Sequence, residues 1–203
     1  MNKGLLFVIL IIIFLSAAVW LFERRRISAK EIAVISVLAG IAALGRVPFA
    51  VIPSAQPTTF IVIVSGYVFG CTAGLWVGMI AAVVSNMFLG QGPWTIMQMF
   101  SWGVCGLSAG ILGKIFPQVS KKGLIIFGFA WGYFFGWIMN LWYWLSFVYP
   151  LNWSTWLAAY AASFWFDTVH AVTNVLFLLI LGKDFIKILQ RFKQKLSFEH
   201  SVA

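Results

Sequence analysis

The segment TTFIVIVSGYVFGCTAGLWVGMIAAVVSNMFL, residues 58–89, contains no charged side chain. It divides into two apolar runs, Thr58–Gly70 and Ala73–Leu89, which are joined almost directly at Cys71 and Thr72. A helix needs about 20 apolar residues to cross the hydrocarbon of a bilayer. The second run approaches that length and the first is short. The pattern predicts a tight hairpin of two helices within a membrane.

The rest of the chain has the same character. Of its 203 residues, 62% are apolar and 9% are charged, and the mean hydropathy is +0.97. Soluble domains carry about 25% charged residues, so this composition excludes a soluble enzyme, a nucleic-acid-binding module and a disordered chain. The sequence therefore predicts an all-α integral membrane protein. Five further apolar runs are Gly4–Phe22, Glu31–Gly45, Trp94–Gly113, Gly123–Val148 and Thr155–Gly182.

The basic residues predict an orientation. All 14 of them except Lys3 and Arg46 fall on one side of a seven-span arrangement, and the net charge is +9. Because Lys and Arg concentrate on the cytoplasmic side, we expect an outside N-terminus and a cytoplasmic C-terminus. The predicted outer loops are Arg46–Pro57, Gly90–Pro93 and Tyr149–Ser154.

Both ends of the chain differ from the middle. The first run resembles a signal peptide, but the charged segment Glu23–Arg26 follows at once, which favours a retained anchor. Residues 1–26 are thus expected to be an anchor with a basic link, 27–183 a six-helix domain, and 184–203 a tail. In the tail, Phe185, Leu189, Phe192 and Leu196 recur at helical spacing, which predicts an amphipathic helix on the inner membrane surface.

Polar groups within the spans are costly unless they have partners, so they mark candidate sites. Asn86, Gln98 and Asn140 fall in the predicted outer half, whereas glycine dominates the inner halves of spans three to six. Asp167 and His170 share one face of the last span; Asp167 is either a structural hydrogen-bonding group or a ligand or proton site. This gradient predicts a polar cavity that opens outward. The many tryptophans serve either as an interfacial belt or as cavity walls.

No motif for covalent chemistry is present. HExxH, CxxC and Walker A patterns are absent from the sequence. Cys71 and Cys105 lie in apolar runs and are expected to be small packing residues. We therefore predict neither an enzyme nor a metal site.

Residues 30–114 resemble the substrate-binding S components of energy-coupling factor (ECF) vitamin transporters, and most of all the branch associated with cobalamin uptake. The likeness covers most of the six-helix region. It rests on Gly45-Arg46-Val47-Pro48-Phe49, Gln56-Pro57-Thr58-Thr59-Phe60, Gly66-Tyr67-Val68-Phe69-Gly70 with Gly74 and Gly78, and Gly90-Gln91-Gly92-Pro93-Trp94-Thr95 followed by Gln98.

The resemblance implies a six-helix S-component core, to which this chain adds one N-terminal transmembrane helix. S components capture a vitamin from outside, with the loop after the first core helix helping to close the pocket. They then dock on a transmembrane T component that carries two ATPase subunits. Docking uses small residues spaced by four on the first core helix. Here Ala29 and Ala33 match, while the Ser36–Gly40 and Ala39–Ala43 pairs leave the register open.

Together these features predict the substrate-capturing subunit of an ATP-driven importer in the cell membrane, for cobalamin or a related corrinoid, without intrinsic cofactor and without a nucleic-acid partner. The alternatives are an S component for another vitamin, such as riboflavin or thiamine, and a proton-coupled carrier that uses Asp167 and His170. The predicted docking residues are Ala29, Ala33, Ser36 and Gly40. The predicted substrate-binding residues are Arg46, Gln56, Asn86, Gln91, Trp94, Gln98, Trp102, Asn140, Trp144, Asp167 and His170.

Overall fold

The computed structural model describes residues 3–24 and 28–198, and these residues form helices without any strand. Arg25 and Arg26 of the predicted basic link lie outside the described residues. The α-helices are α1 Lys3–Arg24, α2 Ala29–Arg46, α3 Thr58–Phe69, α4 Cys71–Leu89, α5 Trp94–Ile115, α6 Lys121–Phe147, α7 Trp153–Ile180 and α8 Gly182–Phe198, with one 3-10 helix at Pro48–Val51.

The predicted hairpin is confirmed as α3 and α4, which only Gly70 separates. Gly70 has φ 98°, a conformation that favours glycine and ends a helix sharply. The 12 residues of α3 are too few to cross a bilayer at 1.5 Å per residue. Instead α3 is buried along nearly its whole length. In the described part of the chain, six other helices are long and apolar enough to span.

Helices α3, α4 and α5 approach one another through glycine. Gly66, Gly74 and Gly106 lie at their common crossing, where an added Cβ on Gly106 would collide with the backbone of Gly74. Small residues allow such close backbone contact between membrane helices. With α2, whose Ala39 and Ala42 are fully buried, these helices form a compact four-helix unit.

Helices α6 and α7 form a second hairpin against this unit. A glycine stripe on α6 faces α7: Gly128, Gly132 and Gly136 lie against Leu178, Ala171 and Asp167 respectively. Helix α1 crosses the outside of both units. It contacts Ser146 of α6 through Gly4, and its Phe22 ring centroid lies 4.3 Å from that of Trp76 in α4. The additional helix is therefore peripheral.

The helix order assigns the loops to two ends of the bundle. The Arg46 end carries the 47–57, 90–93 and 148–152 connections. The basic end carries the α3–α4 and α5–α6 connections and α8. Its described basic residues are Arg24, Lys30, Lys114, Lys121, Lys122, Lys183, Lys187, Arg191, Lys193 and Lys195.

The tail differs from a helix that only lies on the membrane surface. In α8, Leu189 is buried in the bundle core, and the Phe185 ring centroid lies 5.4 Å from that of Phe60. Lys193 Nζ donates a 2.6 Å hydrogen bond to the carbonyl of Val68, near the C-terminus of α3. Because the last carbonyls of a helix have no donor within the helix, those of α3 need other partners, and α8 supplies one. The side chain of Leu196 lies outside the described residues.

Candidate functional site

A buried polar cluster lies inside the Arg46 end of the bundle. Its members come from five helices, α2, α3, α4, α5 and α7, and from the 47–57 loop. We call it the Arg46 cluster; it consists of Arg46, Gln56, Thr59, Ser85, Asn86, Thr95, Gln98, Trp102 and His170.

Arg46, the last residue of α2, is the hub of the cluster. Its Nε donates to Gln56 Oε1 at 2.8 Å, which ties the 47–57 loop to the bundle. Its Nη1 donates to Ser85 Oγ at 2.9 Å and to Asn86 Oδ1 at 2.7 Å. The guanidinium carbon also lies 5.1 Å from the centroid of the Trp102 ring, within the range of a cation–π interaction. Every one of these partners is electrically neutral.

Asn86 connects this hub to α5. It accepts from Arg46 through Oδ1, and its Nδ2 donates to Thr95 Oγ1 at 2.9 Å and to Gln98 Oε1 at 2.7 Å. The Thr95 hydroxyl donates to Gln91 Oε1 at 2.9 Å. Asn86 is 1% exposed, so its amide depends on these partners rather than on water.

A second branch reaches the α6–α7 hairpin. Trp102, which is fully buried, donates from Nε1 to Thr59 Oγ1 at 2.9 Å. The same hydroxyl lies 2.7 Å from His170 Nε2 in α7. The rings of Trp102 and His170 both pack against Phe135 of α6, at centroid distances of 4.7 Å and 5.0 Å. The cluster therefore links both helical units.

The structure brings together most of the predicted substrate-binding residues. Gln91 lies at the rim, where its Nε2 donates to the carbonyl of Val83. Trp94 is 40% exposed and covers Gly92. The predicted residues within the cluster are Arg46, Gln56, Asn86, Gln98, Trp102 and His170. The first five of these contact one another through Arg46 and Asn86, whereas His170 joins them through Thr59. The outward cavity stays a prediction.

Asp167 and Asn140 lie in a separate group between α6 and α7. Ser163 Oγ donates to Asp167 Oδ2 at 3.1 Å, and Asn140 Nδ2 lies 2.5 Å from Ser163 Oγ and 3.5 Å from Asp167 Oδ2. Among the described residues, no hydrogen bond joins Asp167 to His170. Trp144 donates to Thr155 Oγ1 at 3.0 Å and so belongs to neither group. The predicted residues Asn140, Trp144, Asp167 and His170 thus have different partners and do not form one group.

Sequence reasoning missed three hydroxyl residues of the cluster: Thr59, Ser85 and Thr95. Hydroxyl side chains in membrane helices commonly bond to the preceding turn of their own helix, as Ser65 does to Ile61 and Ser101 does to Met97. Their presence in an apolar run is therefore a weak signal. Only the three-dimensional contacts distinguish the bridging hydroxyls from the ordinary ones.

We expect Asn86→Leu to lower the free energy of unfolding by about 2–4 kcal/mol, because it removes one of the three acceptors of Arg46 and leaves the buried Gln98 Oε1 without its donor. Thermal denaturation of the purified protein in detergent measures the change. Gln91→Ala is the control, since Gln91 is exposed and its loss should change stability by no more than about 0.5 kcal/mol. Equal stability of Asn86→Leu and the parent would contradict the role of Asn86 as a connector.

The predicted docking residues share one face of α2. Ala29, Ala33 and Ser36 are exposed, and Gly40 has no atom within 4 Å of the position that a Cβ would take. The alternative pair, Ala39 and Ala43, is fully buried and packs within the bundle. The surface of α2 thus presents the 29–33 and 36–40 pairs together.

Comparison with known proteins defines the family. No curated protein and no solved structure matches the chain. The sequence model of the family "ECF transporter, substrate-specific component" matches residues 30–182, which is more than half of the 203 residues. The match begins at α2 and ends at the start of α8, so it contains the whole Arg46 cluster and leaves out α1. The chain belongs to the family of ECF transporter substrate-specific components.

Proposed function

We propose that this protein captures a vitamin, with cobalamin or a related corrinoid favoured, for an ATP-driven importer of the cell membrane. The Arg46 cluster is the observation that carries the proposal. It places neutral and cationic polar groups in a buried position within the family-matched region, next to two loops that it holds in place. The likeness to the cobalamin-associated branch supports the choice of ligand.

The basic end supports the proposed orientation. Positive residues favour the cytoplasm, so the Arg46 end faces outward, the N-terminus is outside and the C-terminus is cytoplasmic. In this orientation the Arg46 cluster receives its ligand from outside. The protein itself carries out no covalent chemistry, and the 47–57 and 90–93 loops rearrange around the ligand.

S components work with a T component and ATPase subunits, and we propose the exposed face of α2 as the surface that meets them. Glycine and alanine let a partner helix approach closely. On this proposal Ala29, Ala33, Ser36 and Gly40 form the contact, and ATP hydrolysis in the partners supplies the work of transport.

Reconstitution into liposomes tests the proposed function. The full chain is reconstituted with the T component and the two ATPases of its own organism, and uptake of labelled cobalamin is measured with and without ATP. Uptake that requires both ATP and this chain is expected. Uptake of riboflavin or thiamine alone would keep the importer and replace the ligand, whereas no vitamin uptake from a fully assembled complex would overturn the proposal.

A proton-coupled carrier is the second candidate function. Asp167 is a buried acid within a membrane helix, and such residues often serve proton pathways. The structure separates Asp167 from His170, which weakens a relay between them. Uptake by the chain alone, driven by a pH gradient without the ATPases, would establish the carrier.

The Asn140–Asp167 group is also a proposed contact for the ligand. We expect the double variant Asn140→Ala with Asp167→Ala to bind cobalamin about tenfold more weakly or worse, because a lost hydrogen bond to a charged group is worth about 1.5–3 kcal/mol. Equilibrium binding to the purified variant measures this. Unchanged affinity would remove the group from the site.

A further inference from the structure

We propose that the ligand of the Arg46 cluster carries an anionic group, and that this carboxylate or phosphate takes the position that Gln56 occupies on the Arg46 guanidinium. This inference rests on the proposed function and names the chemical class of its ligand.

The positive charge of Arg46 has no acidic partner in the described part of the chain. Arg46 forms no ion pair among the described residues, and its hydrogen-bond acceptors are a glutamine, a serine and an asparagine. A cation removed from water is costly unless an opposite charge accompanies it. Of the five acidic residues, Glu23, Glu31 and Asp184 lie at the basic end, Asp167 accepts from Ser163 and Asn140, and Glu199 lies outside the described residues.

The guanidinium of Arg46 has one edge that can accommodate an acidic group. Arginine binds carboxylates and phosphates best through two parallel N–H bonds. Nη1 already donates to Ser85 and Asn86, which hold the group in place from one side. The Nε–Nη2 edge makes a single hydrogen bond among the described residues, from Nε to Gln56 Oε1. An acidic group that displaces this one neutral acceptor gains a bidentate, charge-assisted contact.

Gln56 occupies the edge of the guanidinium that the anionic group would take. It is the residue through which the 47–57 loop is attached to the guanidinium, and no other hydrogen bond of its side chain occurs among the described residues. Exchange of Gln56 for the anion therefore releases the loop from Arg46 at the moment of binding. The remaining contacts of Arg46, with Ser85, Asn86 and the Trp102 ring, keep the cation positioned throughout the exchange.

Matched pairs of vitamins that differ in one acidic group test the inference. The probes are cobalamin beside cobinamide, which lacks the phosphodiester, FMN beside riboflavin, and thiamine diphosphate beside thiamine. Affinities are measured calorimetrically on the full chain in detergent. We expect the acidic member of at least one pair to bind about 30-fold more tightly than the member that lacks the acidic group, as for a buried charged pair.

Three variants test whether the preference for the acidic member depends on Arg46. Arg46→Gln should abolish the preference for the acidic member. Gln56→Ala should retain the preference and increase the affinity, because it removes the competing acceptor. Lys121→Gln removes a positive charge at the opposite end of the bundle and serves as the matched control for net charge. Gln56→Ala also keeps the test decisive if Arg46→Gln fails to fold.

The inference is overturned if, in every bound pair, the member without the acidic group binds as tightly as the acidic one, if Arg46→Gln retains the preference, or if none of the acidic probes binds. None of these results decides whether the proposed function is correct, because assembly and import are measured separately. A complex that assembles with its ATPases and imports a vitamin without charge preference would reject only the anion inference. Failure to assemble or import would reject the proposed function itself.

Discussion

Gly106→Ala is expected to destabilise the protein by about 3 kcal/mol or more, at the upper end of the usual effect of overpacking. The added Cβ would meet the backbone of Gly74, which cannot move aside as a flexible side chain would. Helices α4 and α5 must then separate. Since Gly78 of α4 lies against the backbone of Trp102 by the same kind of contact, the separation also shifts Trp102 relative to Arg46.

Thermal denaturation and the monodisperse fraction on size-exclusion chromatography measure this effect. Gly40→Ala is the matched control, because it is the same change in a helix and no atom lies within 4 Å of the new Cβ. The control should be as stable as the parent or more stable by up to about 1 kcal/mol, given the helix propensities of alanine and glycine. Equal losses of stability in Gly106→Ala and Gly40→Ala would mean that the close contact between Gly106 and Gly74 does not cause the destabilisation.

The second large effect concerns assembly. We expect Gly40→Trp to abolish the complex with the T component and the ATPases, and with it ATP-driven uptake. The indole would stand on the exposed face of α2, where small residues permit close approach of a helix. Binding of the ligand should persist, because Gly40 takes no part in the Arg46 cluster. Co-purification of the subunits and uptake by proteoliposomes give the two readouts.

Val172→Trp controls for a bulky ring on the surface of the bundle. Val172 is 45% exposed on α7, away from α2. This variant should assemble and transport normally. A Gly40→Trp protein that assembles as well as the control would show that the partners meet another face of the molecule.

The helices could be predicted because each run is long, apolar and interrupted by glycine, proline or charge. The prediction was least complete at α3 and α8. A 12-residue apolar run cannot by itself reveal whether it spans a membrane or is buried inside a bundle, and here tertiary packing decides. The same holds for α8, whose apolar stripe suits a membrane surface or a protein surface equally well; contacts with Phe60 and Val68 show the latter.

For the candidate site, residue type was more informative than residue position. Asn86 and Gln98 stand out because amides in apolar runs need partners, whereas Arg46 was indicated by the family resemblance, as part of the loop after the first core helix. The sequence could not show that Asp167 pairs with Ser163 while His170 pairs with Thr59. Residues three apart on one helix share a face, but the neighbouring helices decide which partner each one meets.

The most direct test is to identify the small molecules that the protein retains after purification. The full chain would be purified from vitamin-rich medium, and the released compounds analysed by mass spectrometry with an absorption spectrum. A corrinoid at near-stoichiometric amount, lost from Arg46→Gln and kept by Lys121→Gln, is the predicted result. A vitamin that both variants retain equally would contradict the assignment of the Arg46 cluster as the site.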